Sequence, residues 1–585
     1  MIRPCRPAPG SRLGAPGEWR GFDTETQDGK AVLIATDRDS LSMPGGFLDC
    51  ARFLVNGGDR FACWNMDYDA RAILLFLPWK QLQQLHYTNW TRWHGWKVHY
   101  LPRKVLEIFE PKREGGRAAR IFDVHQFFGG SLASAAPRVG MRKMDVPKSW
   151  YPRMKWALRK EPEKVIAYCI NDAKVAQQHA ALLLPRLMEF AKCEAPYSPA
   201  AVARSYFGPR LKFNETRWQQ QIFESTYRGG RIEVFKRGHC GRGVLYDIKS
   251  AYPAALALAL DPRHMTFART RRYSADAGYG AYHIRVTIPP MQISPLAYTA
   301  TPRKEEATIY PVGDLELAVD RETLKLLRSM GLNPKVDDAW EYLIDKEVLL
   351  FRDIEELFAR RKKEPDLDLA IKLTLNGLYG IVCQKIDTWI KPKYITDKTR
   401  NLGGSYRERF SRMASTTHYG VGAFVTARTR RMAYELARLD PDNALFVATD
   451  GVAFRGKGPG NVRLGGGLGD WTLADKFSEA VIVGAGVYSL CVGGKWKNKM
   501  RGMYAPHAAL PELLDTRRTW CSVPVTTVDT LADGMRERGA MVNVVQQLRK
   551  RLDFNFDTKR VWERKYTGRE LLRNLYDSRP WKMED

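Results

Sequence analysis

The chain has 585 residues, 44% hydrophobic and 11% aromatic, enough to bury several cores, so more than one domain or a large mixed α/β body is expected. Its 93 Lys and Arg against 65 Asp and Glu leave a formal charge of +28, which suits a polyanionic partner held through its phosphates. Nine scattered cysteines with no CxxC spacing argue against a disulfide framework or a structural zinc site, and no apolar run is long enough for a membrane span or a signal peptide. A cytoplasmic setting without membrane attachment follows as the expectation.

In chain order, a lead-in carrying Pro4, Pro7, Pro9 and Gly10 precedes the first acidic motif, Phe22-Asp23-Thr24-Glu25-Thr26. On a strand, Asp23 and Glu25 point to one face, where they can share metal ions. Trp64-Asn65-Met66-Asp67-Tyr68-Asp69 offers a further acid, Asp69. An amphipathic helix is expected from about Glu163 to Phe190, and within it Tyr168 and Asp172 stand at i and i+4 on one face. Asp23, Glu25, Asp69 and Asp172 are therefore candidate ligands of two divalent ions for phosphodiester hydrolysis, with Tyr168 orienting the water or the scissile phosphate. The segment Ala195-Pro196-Tyr197-Ser198-Pro199 then reads as a domain boundary.

A second set of motifs follows. Val244-Leu245-Tyr246-Asp247-Ile248 is an apolar strand ending in an acid. Residues 444–454 read as a hairpin with Asp450-Gly451 at its tip. Asp247 and Asp450 are suited to bridging two metals that activate a 3′ hydroxyl and neutralise a triphosphate. In Lys372-Leu373-Thr374-Leu375-Asn376-Gly377-Leu378-Tyr379-Gly380, Lys372, Asn376 and Tyr379 share one helical face. Lys372 can then meet the triphosphate while Asn376 and Tyr379 face the nascent base pair.

In order and wording these motifs resemble those of the family B DNA polymerases, nearest to the protein-primed, phi29-like group. FDTET, NMDYD and YCINDA are similar to the three exonuclease motifs, and Lys143-Met144-Asp145-Val146 to the auxiliary lysine motif of that site. Thr26, Asn65 and Tyr68 match positions that hold a single-stranded 3′ end. Tyr227-Arg228-Gly229-Gly230 resembles the YxGG segment that handles the template, through Tyr227, Gly229 and Gly230. Motif A resembles Asp247-Ile248-Lys249-Ser250-Ala251-Tyr252-Pro253, motif B the Lys372 helix, and motif C Ala448-Thr449-Asp450-Gly451. The resemblance implies that Ile248 completes the nucleotide and metal site, that Tyr252 excludes a ribose 2′ hydroxyl, and that Thr449 and Tyr488 contact DNA. Leu468-Gly469-Asp470-Trp471 also resembles the family's palm.

The implied fold is an RNase-H-like α/β exonuclease domain over residues 1–195, followed by a right-hand polymerase domain over 196–585. Within the latter the expected parts are palm 196–258 and 419–520, first insertion 259–347, fingers 348–384, second insertion 385–418 and thumb 521–585. The implied activity is DNA-directed DNA synthesis with 3′–5′ proofreading, on primer-template DNA and dNTPs, using two Mg²⁺ per site with Mn²⁺ as a substitute. It implies a monomer copying a phage or plasmid-like genome, with a terminal protein as primer and with strand displacement. Three departures stand out. Motif C has Ala448 where the family has an acid, and Gly451 where it has Ser. The lysine of the KxY motif falls at Gly486, so Lys495, Lys497, Lys499 and Arg501 become candidates for the missing primer contact, Lys499 and Arg501 foremost. A nuclease with a degenerate polymerase half acting as a DNA-binding platform is the alternative these departures leave.

Overall fold

The computed structural model describes residues 18–299, 308–390, 408–503, 509–528 and 545–583. The lead-in through residue 17, the middle of the expected second insertion and parts of the expected first insertion and thumb lie outside the described residues.

The first third is built on an eight-stranded sheet. Its strands are β1 (Arg20–Gln27), β2 (Lys30–Thr36), β3 (Ser40–Ser42), β4 (Arg60–Cys63), β5 (Trp90–Trp93), β6 (Trp96–Leu101), β7 (Val105–Phe109) and β8 (Ala118–Asp123), in the order β3-β2-β1-β4-β8-β7-β6-β5. β1 and β2 meet at Asp28-Gly29, both with positive φ (56° and 76°), the turn that a two-residue hairpin requires. The β1–β4 and β4–β8 pairings are parallel, so the ends of three neighbouring strands lie at one edge. The helix Pro162–Ala191 crosses β1, β2 and β4. Its buried Val165, Cys169, Ala173, Ala176, Ala180, Leu184 and Leu187 recur every three or four residues, and each Leu or Val removed from water contributes roughly 1.5–3 kcal/mol. That packing fixes which helical face, and so which acids, look onto β1.

A second, wholly antiparallel sheet has the order β20-β11-β19-β18-β9. It comprises β9 (Arg231–Val234), β11 (Gly243–Ile248), β18 (Ala444–Thr449), β19 (Gly451–Arg455) and β20 (Trp471–Phe477). Ala433, Tyr434, Leu436 and Ala437 of the helix Tyr419–Ala437 pack against Val244, Tyr246, Val447, Val452 and Phe454 on one face of this sheet. Between β11 and β18 the chain makes a four-stranded sheet, β12 (Met265–Arg269), β13 (Ala277–Ile288), β14 (Gly313–Asp320) and β15 (Lys335–Ile344), ordered β12-β15-β13-β14. Two helices follow, Ile354–Lys363 and Pro365–Val382, and then the pair β16 (Lys385–Ile390) and β17 (Glu408–Met413).

The C-terminal region returns to the centre. β10 (Lys236–Cys240), β21 (Glu479–Gly484), β22 (Val487–Val492), β23 (Lys495–Met500), β26 (Val561–Trp562) and β27 (Leu575–Arg579) form a six-stranded sheet, with β24 (Trp520–Val528) and β25 (Val545–Asp553) as a separate pair. The return is pinned by a buried ionic network: Glu233 accepts from Arg231 Nε at 2.8 Å and from Arg560 Nη1 at 2.7 Å, while Arg560 also donates to the carbonyls of Gln292 and Ser578. Among the described residues no helix is long and apolar enough to cross a membrane.

Candidate active sites

The first site lies beside β1. Asp23, Glu25, Thr26, Tyr68, Tyr168 and Asp172 line one cleft of about 600 Å³, together with Lys148 and Tyr151, which the motifs had not singled out. Alternation on β1 and the i, i+4 spacing on the long helix thus bring three of the four expected acids to one place. Burial, then the neighbouring Asp172, pushes the Asp23 carboxyl up to about 8, and burial with Asp23 raises Glu25 well above the carboxylate range. Lys143 donates to Asp172 Oδ2 and, at 3.0 Å, to the Tyr168 hydroxyl, while burial and the acids raise the Tyr168 phenol. The Thr26 and Tyr68 hydroxyls are 3.0 Å apart.

Asp69 lies behind the cleft wall, close enough to Asp23 that the Asp23 charge joins burial in raising its carboxyl. Its Oδ1 accepts the Thr24 hydroxyl at 2.8 Å, and it does not line the cleft. Asp67 is occupied elsewhere, accepting the Tyr100 hydroxyl at 2.7 Å and the Arg103 amide at 2.9 Å. Asn65 takes φ 73° before the helix Met66–Leu74, and its amide donates to Asp123 Oδ1 at 3.1 Å. Asp123 itself was missed by sequence reasoning. It ends β8, is buried, and is pushed up to about 7 by burial against the opposing effect of backbone N–H donors at Met66, Asn65 and His125. Its signal was present in Ile121-Phe122-Asp123, an apolar strand ending in an acid like Tyr246-Asp247-Ile248.

The acids fit divalent cations. Asp23, Glu25 and the thiol of Cys169 present ligand atoms within 4.8 Å of one another, and Asp172 Oδ1 is buried and accepts no hydrogen bond among the described residues. Oxygen-rich, mutually repelling groups of this kind are relieved by a bound metal.

The second site stands at the end of the antiparallel sheet. Asp247 is paired with Gly451, and the Ile248 amide donates to the Asp450 carbonyl at 3.0 Å, so backbone pairing holds the two acids side by side. Burial, then Asp450, pushes Asp247 up to about 6; burial also raises Asp450, an effect that Lys499 opposes. Neither carboxylate forms an ion pair among the described residues, so this pair also fits a divalent cation. The Ile248 side chain is buried, which leaves only its main chain for the site.

The hairpin tip departs from the expected Asp-Gly turn. Ala448 pairs with Gly451, so the two-residue tip is Thr449-Asp450, and the positive φ (66°) falls on Thr449. β18 has a register shift between Ala444 and Phe446 and is paired with β9 as far as Thr449 and Arg231, which draws Thr449 into the ladder. The tip therefore carries Asp450 itself.

The rest of the second set gathers around Tyr379. Its hydroxyl is 2.5 Å from that of Tyr227, and its ring centroid is 4.4 Å from that of Tyr252. Lys372 and Asn376 are exposed on the same side of the helix Pro365–Val382. Gly230 passes so close to Thr449 and Tyr252 that a Cβ would come within 2.6 Å of Thr449 Cγ2 and 3.1 Å of the Tyr252 hydroxyl. Arg430, another residue the motifs did not reveal, is buried and donates to the carbonyls of Arg228 (2.6 Å) and Gly229 (2.9 Å) and to Asp320 (3.1 Å). One arginine in a basic helix carries no sequence signal, because such residues are usually solvated.

Residues 155–434 match the family model described as DNA polymerase type B, organellar and viral. The fold is similar to that of phi29 DNA polymerase complexed with primer-template DNA and incoming nucleotide, with a TM-score of 0.64 and 15% identity over 92% of this chain and 100% of that one. The chain thus has the fold of phi29-like family B DNA polymerases, and its residues 155–434 match that family's model. Phi29 DNA polymerase complexed with single-stranded DNA superposes with a TM-score of 0.59 and 16% identity over 83% of this chain and 93% of that one. No curated protein matches at the sequence level. The family B architecture is thus an exonuclease-type domain followed by a right hand of palm, fingers and thumb.

Against that family pattern, Ala448 sits on β18 beside the tip, and Gly486 occupies the turn between β21 and β22 at φ 75°. A Cβ at Gly486 would meet Arg501 Cβ at 3.1 Å, so a lysine here would be strained in its backbone and crowded against Arg501. Tyr488 is retained, half-buried and stacked on Phe446 with centroids 4.4 Å apart. Directly across the β22–β23 ladder from Tyr488 is Lys499. Lys497 is engaged with Asp475 at 2.5 Å.

Proposed function

We propose that the chain is a DNA-directed DNA polymerase that adds dNTPs to a 3′ hydroxyl and proofreads with a 3′–5′ exonuclease. The observation that carries the synthetic activity is the juxtaposition of Asp247 and Asp450, two half-buried carboxylates fixed by one backbone ladder. Asp247, Asp450 and the Ile248 main chain would hold Mg²⁺, with Mn²⁺ as a substitute; the bound ions supply Lewis acidity to the 3′ hydroxyl and charge neutralisation to the triphosphate. Lys372 meets the triphosphate, Tyr379 and Asn376 face the nascent pair, and Tyr252 lies under the sugar. Tyr227, Gly229 and Gly230, held by Arg430, track the template strand, while Thr449, Tyr488, Lys499 and Arg501 contact the primer.

In the exonuclease, Asp23, Glu25, Asp69 and Asp172 would hold the metals, with Thr24 donating to Asp69. Tyr168 and Lys143 orient the attacked phosphate, and Thr26, Tyr68 and Asn65 grip the frayed 3′ end. The domain limits follow: exonuclease to residue 195, palm 196–258 and 419–520, fingers 348–384, thumb from 521, with insertions at 259–347 and 385–418. Priming from a terminal protein, strand displacement and the copying of a phage or plasmid-like genome in the host cytoplasm rest on the family resemblance and on those two insertions.

A labelled primer on a longer template, with Mg²⁺ and with or without dNTPs, tests the assignment in wild type, Asp450→Ala and Asp23→Ala. Extension lost in the first variant and shortening lost in the second support it. Ala448 favours a second reading, a nuclease with a decayed polymerase half, and shortening without any extension by the wild type would establish that reading instead.

A further inference from the structure

The tyrosines gathered around Tyr379 rest on a side chain that lies beyond the Lys372–Gly380 motif. Cys383 caps the helix Pro365–Val382 and stands at i+4 from Tyr379, so the two share a helical face. The Tyr379 and Tyr227 hydroxyls, 2.5 Å apart, both reach its thiol within hydrogen-bonding distance. Burial pushes that thiol up to about 12, so at neutral pH it keeps its proton and can donate to a phenol oxygen. The notch that admits the sulfur belongs to another element. Gly422, in the helix Tyr419–Ala437, comes so close that a Cβ there would overlap Cys383 Sγ and lie 3.7 Å from Tyr227 Cε2. Tyr379 in turn meets Tyr252, with ring centroids 4.4 Å apart, and the Tyr252 hydroxyl sits against Gly230. Tyr227, Tyr252, Tyr379 and Cys383 are each only partly buried, so the cluster borders open space.

We propose that Cys383 is a positioning residue for nucleotide selection: seated in the Gly422 notch, its thiol fixes Tyr379 and, through Tyr379, the ring of Tyr252. The inference rests on the polymerase reading, in which Tyr379 faces the nascent pair and Tyr252 lies under the sugar. Cys383 is assigned no contact with the nucleotide; it acts through the two rings. With the thiol and Tyr227 both on its hydroxyl, the Tyr379 ring is held from two elements, its own helix and the Tyr227–Gly230 segment. Without the thiol one partner is lost, and the vacated volume lets the ring shift. A ring that shifts loosens the floor beneath the sugar, and the clash that rejects a ribose 2′ hydroxyl weakens with it. The carboxylates Asp247 and Asp450 are held by their own backbone ladder, so binding and selection change while the chemical step is kept.

The test is single-nucleotide incorporation by the full chain on a labelled primer-template with Mg²⁺. It gives kcat and KM for a dNTP and for the matching rNTP in wild type, Cys383→Ala, Cys383→Ser and Gly422→Ala. Cys383→Ala is expected to raise the dNTP KM by roughly three- to ten-fold, the worth of one hydrogen bond, and to narrow the preference for dNTP over rNTP by a similar factor. Its kcat is expected to change by less than about two-fold. Cys383→Ser, which restores a donor, is expected to recover most of both losses, and Gly422→Ala, whose methyl takes the place of the sulfur, to reproduce them. Wild-type values in Cys383→Ala overturn the proposal, as does a loss confined to kcat. A Cys383→Ser variant no better than Cys383→Ala overturns it too, because the hydrogen bond then plays no part. Should Cys383→Ala fail to fold, unchanged KM and selectivity in Gly422→Ala overturn it equally. No extension by the wild type removes the polymerase reading itself; extension by the wild type with an unaltered Cys383→Ala removes only this assignment.

Discussion

Tyr488 stands directly opposite Lys499 on the β22–β23 ladder, and the ammonium of Lys499 opposes the rise that burial imposes on the Asp450 carboxyl. On the proposed assignment, a primer phosphate beside Asp450 would meet this cation. Lys499→Ala is expected to weaken primer-template binding by roughly five- to ten-fold, the worth of one charge-assisted contact, and to reduce the salt dependence by about one counterion. Lys497→Ala, which removes an exposed cation already paired with the half-buried Asp475, is expected to stay within about two-fold. Binding isotherms at several salt concentrations distinguish the two, and equal losses would remove the special role of Lys499.

The two acidic sites sit on different sheets, so their losses are expected to separate. Asp247→Asn should abolish extension by on the order of a thousand-fold or more while leaving primer shortening intact, and Glu25→Gln should do the converse. Single-turnover assays with the same labelled primer measure both. Parallel loss of the two activities in either variant would point to a folding defect rather than a site.

Arg560 is buried against Glu233 and two carbonyls, tying the C-terminal strands to β9 next to the motif C hairpin. Arg560→Met leaves Glu233 with Arg231 alone and is expected to destabilise the chain by about 3–5 kcal/mol. Denaturant unfolding of the variant, with its midpoint compared at equal slope, provides the check. A midpoint unchanged from wild type would show that Arg231 suffices.

The pH dependence of the first domain has a defined sign. Asp123 in the fold is pushed up to about 7, above its ordinary value of 3.8, because burial outweighs its backbone donors. The folded state therefore holds this proton more tightly, so the contribution is fully present below about pH 4 and is lost as pH rises through about 7. In EDTA the unfolding temperature is expected to fall between pH 5 and pH 8, with a flatter profile in Asp123→Asn. Superimposable profiles for the two proteins would exclude Asp123 as a cause.

Much of the candidate chemistry was written locally. The period of two on β1 aligns Asp23 with Glu25, the i, i+4 step puts Tyr168 and Asp172 on one face, and Lys372, Asn376 and Tyr379 share a side of their helix, all because side-chain direction follows backbone repeat. The mixed eight-stranded sheet and the separate antiparallel one agree with the α/β exonuclease and right-hand fold that the order of motifs implied.

What only the tertiary structure decided depends on partners distant in sequence. Asp-Gly is a strong hairpin signal and does form the turn at Asp28-Gly29, yet at residue 450 the pairing of β18 with β9 and β19 overrides it and moves the tip to Thr449-Asp450. Asp69 turned to Thr24, Asp123 took the backbone donors near Asn65, Cys169 came to face Asp23, and Arg430 reached the Tyr227–Gly230 segment. The sequence by itself determined which side chains share a face of a strand or helix, since that is a property of the local repeat; which faces meet was decided by the packing of separate elements, whose burial and hydrogen-bond requirements are satisfied only in the assembled chain.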